Sequence, residues 1–78
     1  MMKIGMLWLD ADKKRPFAEK VKQAASYYRE KYGRMPELCL INAQTREWQP
    51  AVGKIEVQTV KTVLPSHFWL GMKNQELN

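Results

Sequence analysis

One stretch constrains this chain more than any other. From Pro16 onward the apolar residues Phe17, Val21, Ala24, Ala25, Tyr28 and Tyr32 follow one another at steps of four, three, one, three and four. Only a helix gathers that spacing onto a single face. Pro16 suits the first turn, where its missing N–H costs nothing. Gly33 suits a left-handed C-terminal position, and Pro36 blocks continuation. The spacing therefore predicts one amphipathic helix over Pro16–Tyr32.

Apolar runs of strand length flank it. KIGMLWLD, Lys3 to Asp10, places Ile4, Met6 and Trp8 on one face and Gly5, Leu7 and Leu9 on the other. Apolar residues on both faces read as an interior strand covered above and below. ELCLIN, Glu37 to Asn42, is the second run. Strand, helix and strand make a βαβ unit with parallel strands and a right-handed crossover. Ala43–Gly53 reads as a loop, and Lys54–Leu64 as a strand with a bulge near Gln58–Thr59 where the alternation slips. HFWLGM, His67 to Met72, reads as a short further strand after a Pro65–Ser66 turn.

The expected fold is a small α/β domain bordering on α+β. Its order is β-α-β-β(-β), a mixed sheet of three or four strands with the Pro16–Tyr32 helix on one face. Residues 1–72 form the single domain and 73–78 a polar tail.

At 78 residues the chain has room for one domain and buries only about 60–65% of its unfolded surface. The lone Cys39 cannot close an internal disulfide, and no Cys/His cluster offers a metal site, so neither metal nor cofactor is expected. No run approaches the ~18 apolar residues of a membrane helix, and no secretory signal is apparent. A soluble cytoplasmic protein is the reading.

Charge is unevenly spread. Between Lys13 and Arg34 eight basic residues face only Glu19 and Glu30, so this window carries more than the whole net charge of +5. Lys13, Lys14, Lys20, Lys22, Arg29 and Lys31 are the candidate polyanion-binding residues, with nucleic acid as the most specific partner. Lys13, Lys14 and Arg15 also oppose the positive end of the helix dipole, a misfit that an anionic ligand would relieve. The bland alternative is a solvated helix face.

Asp10 and Asp12, just past the first strand, form a D-x-D pair where α/β sheets place their sites. With His67, the sole histidine, they are the weak catalytic candidates for metal-assisted phosphoryl transfer. Turn formation accounts for the two aspartates equally well. Cys39 reads as a small buried hydrophobe. No glycine-rich phosphate loop is present. Trp48 is expected to be partly exposed in its loop and to serve as a contact.

A helix of about 17 residues spans about 25 Å at ~1.5 Å per residue and covers one face of the sheet. The other face calls for cover, so a homodimer is expected, with Trp8, Leu9 and Trp69 near the contact. The function read from sequence is a small non-enzymatic binding or adaptor module recognising nucleic acid or another polyanion. The rivals are a phosphoryl-transfer enzyme using Asp10 and Asp12, and a subunit that binds only protein.

Overall fold

A computed structural model describes residues 5–73. They form one helix on a mixed sheet of five strands, which makes the fold α+β. The elements in chain order are β1 (Gly5–Leu9), α1 (Phe17–Tyr32), β2 (Leu38–Asn42), β3 (Ala51–Val52), β4 (Ile55–Val60) and β5 (His67–Gly71). Of the polar tail expected over 73–78, only Lys73 is among the described residues.

The helix forms where the apolar spacing requires it. Pro16 is its N-cap, with extended φ and ψ, rather than its first residue. Gly33 ends it at φ 81°, and its N–H donates to the Arg29 carbonyl at 2.7 Å. A Cβ is disfavoured in that left-handed region, which is why glycine stands there.

The strands lie in the order β1-β5-β2-β4-β3. Because β5 is antiparallel to both β1 and β2, those two strands are parallel to each other. The expected strand–helix–strand unit is therefore present, but β5 is inserted between its strands. β2 and β4 are parallel, and β3 closes the far edge antiparallel to β4.

Three expectations need correction. β1 is an edge strand covered on one face only, because Leu7 and Leu9 point away from the helix and remain 59% and 61% exposed. The Ala43–Gly53 stretch contains the short strand β3. No bulge interrupts β4, whose register against β2 is continuous from Glu56 to Val60. The slip in alternation arises because Val60 lies on the uncovered face, half-buried, while Ile55 and Val57 are buried beneath the helix.

The core is a single layer between helix and sheet. Met6, Leu70, Cys39 and Val57 form one row across four strands, and Trp8, Phe68 and Ile41 begin the next. Val21, Ala24, Ala25 and Tyr28 pack down onto them. The two alanines bring the helix backbone close to the sheet, and Tyr28 supplies the bulk. Trp8 stacks on Tyr27 with ring centroids 4.5 Å apart, and its buried Nε1 has no hydrogen-bond partner among the described residues. On the uncovered face the Trp69 indole lies over Gly5, so closely that a Cβ on Gly5 would run into the ring. Further along that face Lys73 pairs with Glu56 at 2.8 Å. The Lys73 ammonium and Gln58 hold the Glu56 carboxyl below the usual carboxylate range, but both partners are solvated and the pair adds little stability.

One edge of the sheet is topologically unusual. β2 and β4 end there, and β3 and β5 begin there. The connection 43–50 must skip β4 to reach β3, and the connection 61–66 must skip β2 to reach β5. Two such paths interleave and have to cross, an arrangement that sheets generally avoid. Asn42 pins the crossing. Its Nδ2 donates to the Val63 carbonyl at 2.8 Å, and its Oδ1 accepts the Gln44 N–H at 2.9 Å.

Candidate functional site

The crossed connections and the start of α1 enclose an open cleft of about 890 Å³ at this edge. Three parts of the chain position its walls: the turn from Asp10 to Phe17, the 44–47 stretch, and the run from Pro65 to Phe68. Lys13, Lys14, Arg15, Lys20 and Arg46 line it, against only Asp10 and Glu47.

The turn after β1 is built by its aspartates. Asp10 Oδ1 accepts the Asp12 N–H at 3.1 Å, and Asp12 Oδ1 accepts the Lys14 N–H at 2.8 Å. Two successive side-chain turns of this kind bend the chain sharply from strand to helix. Asp10 is buried, and its Oδ2 is paired with the Arg15 guanidinium. Arg15 also reaches Gln23 on the helix, and its Nε lies 3.4 Å from Asp12. One guanidinium thereby ties strand, turn and helix together and neutralises the buried carboxylate. Its planar fork of donors suits that task better than an ammonium would.

With Asp10 neutralised, the positive charge of Lys13, Lys14, Lys20 and Arg46 dominates the cleft. The helix that opens beside it has no side-chain cap among the described residues; the Glu19 and Lys20 N–H groups donate to the Pro16 carbonyl, and those of Phe17 and Ala18 are left to water or a ligand. The two non-glycine residues with positive φ among the described residues, Glu47 at 56° and Ser66 at 66°, line this same cleft. Left-handed backbone at such residues is strained and concentrates at functional sites.

The six basic candidates do not share one face. Lys13, Lys14 and Lys20 line the cleft, whereas Lys22, Arg29 and Lys31 are exposed further along the helix. At about 100° per residue, Lys20 and Lys31 flank one side of the buried stripe, and Lys22 and Arg29 flank the other. Glu19 and Glu30 hold the outer surface between them. Lys31 leans over the Tyr32 ring, 5.4 Å from its centroid. Arg46 escaped the charge reading because it lies outside the basic window, and the crossed connection brings it in.

Of the weak catalytic candidates, Asp10 and Asp12 are both engaged with Arg15 and with backbone N–H groups. His67 donates from Nδ1 to the Pro65 carbonyl at 2.9 Å, which leaves Nε2 as the acceptor in the neutral ring. Among the described residues no three His, Cys, Asp or Glu side chains are grouped to hold a metal ion. No helix among them is long and apolar enough to cross a membrane. Of the expected contact residues, Leu9 and Trp69 lie on the uncovered face, Trp8 faces the helix, and Trp48 is exposed in the 43–50 connection.

Cys39 is fully buried in β2, and burial pushes its thiol up to about 12. At pH 8 the thiolate is then so scarce that reaction with a disulfide reagent should run about 1,000-fold slower than for a free thiol. Full reactivity should return in urea. Complete labelling of the native protein within seconds would contradict this burial. Comparison with protein-family models, curated proteins and solved structures finds no match to this chain.

Proposed function

We propose that this chain is a small binding module that recognises the phosphate backbone of a nucleic acid in the cleft between the start of α1 and the crossed connections. The observation that carries the reading is the lining of that cleft. Lys13, Lys14, Lys20 and Arg46 converge there from separate parts of the chain, while the nearest buried acid is already paired with Arg15. Cations that form no ion pair among the described residues are suited to phosphate, each contact releasing a condensed counterion. The uncapped helix start adds partial positive charge on the same side. Nothing in this arrangement requires chemistry on the ligand, and the carboxylates that a metal-assisted reaction would need are held by Arg15.

Salt dependence tests it. With four phosphate contacts, binding of a single-stranded oligonucleotide should fall with a log–log slope of about −3, roughly 50-fold between 50 and 200 mM salt. Replacing Lys13, Lys14, Lys20 and Arg46 together by alanine should flatten that slope and weaken binding about 100-fold at low salt. The triple variant Lys22→Ala, Arg29→Ala, Lys31→Ala carries the helix charge outside the cleft and should change binding far less. Fluorescence anisotropy with DNA and RNA oligonucleotides reads both. Absence of binding at low salt, or equal losses in the two variants, would remove the proposal.

A further inference from the structure

β1 has β5 on one side and nothing among the described residues on the other. Which backbone groups face that open edge follows from one bond. The Asp10 N–H donates to the Ser66 carbonyl at 2.9 Å, just beyond the Leu9–His67 pair, so this position is a hydrogen-bonded one in the antiparallel ladder. Such positions alternate. Trp8 and Met6 therefore turn their N–H and C=O groups toward β5, and Gly5, Leu7 and Leu9 turn theirs outward. The Tyr32 hydroxyl donates to the Gly5 carbonyl at 3.1 Å, as an outward-facing group allows.

The exposed backbone groups and the exposed side chains thus belong to the same residues. Leu7 and Leu9 present unpaired amides at the edge and apolar side chains on the uncovered face. Within the described strand GMLWL there is no proline, no charge and no bulge to protect the edge, and the Tyr32 hydroxyl covers the Gly5 carbonyl alone. We propose that a second copy of this chain pairs along this edge, β1 to β1 and antiparallel, about a two-fold axis through Leu7. The two five-stranded sheets then run on as one.

The choice of occupant rests on self-complementarity. In this register Leu7 lies opposite itself in a hydrogen-bonded pair, and Gly5 lies opposite Leu9 of the second copy. Gly5 has no side chain on the uncovered face, and the Trp69 indole lies over it. Leu9 of the second copy is laid down beside that indole, and the symmetric contact repeats at the other end. A foreign strand would have to bring this pattern of apolar residues, whereas the chain itself supplies both halves. The contact strip carries no charge, while each copy carries +5, so salt should tighten the pairing by screening repulsion. Phosphate binding in the cleft responds to salt in the opposite sense, and the two proposals therefore fail independently.

Sedimentation equilibrium of the full chain from about 1 to 100 μM, the range of ordinary reversible association, is the test. The expected mass is twice 9.2 kDa, with affinity rising as salt increases. Leu7→Lys sets two like charges against each other at the axis and should weaken the dimer about 100-fold. Circular dichroism should be unchanged, because Leu7 is exposed in the single chain, and Leu9→Lys provides a second variant should the first misfold. Hydrogen exchange locates the contact. The Leu7 and Leu9 amides should be protected in the dimer and lose protection in the variant, while Met6 and Trp8, bonded to β5, stay protected in both. A 9.2 kDa monomer throughout, a dimer with freely exchanging Leu7 and Leu9 amides, or a Leu7→Lys dimer of unchanged affinity would each overturn the proposal. So would a monomer that takes up an extended apolar peptide along β1 instead.

Discussion

Leu70→Ala is expected to remove about 3–5 kcal/mol of folding stability, the range for truncating a fully buried leucine. Leu70 is 0% exposed and sits in β5 between Met6 of β1 and Cys39 of β2, under the helix. Its neighbours belong to three hydrogen-bonded strands and cannot collapse inward without breaking the ladders, so most of the cavity should persist. A domain of this length has only about 4–12 kcal/mol to lose. At roughly 4–8 °C per kcal/mol, the midpoint of thermal unfolding should fall by 12 °C or more. Leu9→Ala, on the exposed face of the same sheet, should cost less than about 0.5 kcal/mol in the single chain. Thermal and urea melts of the two variants decide the matter. A small shift for Leu70→Ala would mean that the row across β1, β5 and β2 is not the core.

Arg15→Met should be nearly as damaging, for an electrostatic reason. The Asp10 side chain is only 4% exposed and that of Arg15 is 32%, so removing the guanidinium strands a carboxylate that water cannot fully reach. Because one partner is partly solvated, the expected cost is about 2–3 kcal/mol, below that of a fully buried pair. Arg15→Lys should recover only part of it, since an ammonium cannot bridge Asp10, Asp12 and Gln23 together. Adding Asp10→Asn to Arg15→Met should restore stability relative to the single Arg15 variant, and a double-mutant cycle in urea would measure the coupling. Additive effects would show that Arg15 acts through packing alone.

Much of this fold can be read from local pattern. The helix is found within one residue, because a 3.6-residue stripe closed by Gly33 and Pro36 has no competing geometry. The four longer strands are found as apolar runs. What the pattern cannot carry is their order. Leu7 and Leu9 make β1 look like an interior strand, since apolar residues on both faces ordinarily mean cover on both, and the pattern does not show that this face stays open. The bulge expected near Gln58–Thr59 holds only if Val60 is buried beside Ile55 and Val57, and β4 places it on the other face instead. The cleft was half legible. Lys13, Lys14 and Lys20 stand close together in the chain, but Arg46 joins them only through the crossing of two connections. Asp10 reads from sequence as a metal-site candidate, and the structure sets the Arg15 guanidinium, five residues on, against its carboxylate.

The place of β5 has a consequence for how the protein comes into being. It follows every other described element in the sequence yet lies inside the sheet between β1 and β2, and its pairing sets Gly5 beside Gly71. A chain emerging from the ribosome presents β1, α1 and β2 long before the strand that joins them exists. Until then β1 and β2 have no common neighbour, and the apolar side chains of both stay available to other molecules. The joining of β1 to the rest of the sheet must therefore come late, with the longest-range contacts closing last. A nascent chain that stalls before His67 can still join β2, β4 and β3, but it leaves β1 with no strand to pair with and Cys39 and Ile41 with no neighbour on the β5 side.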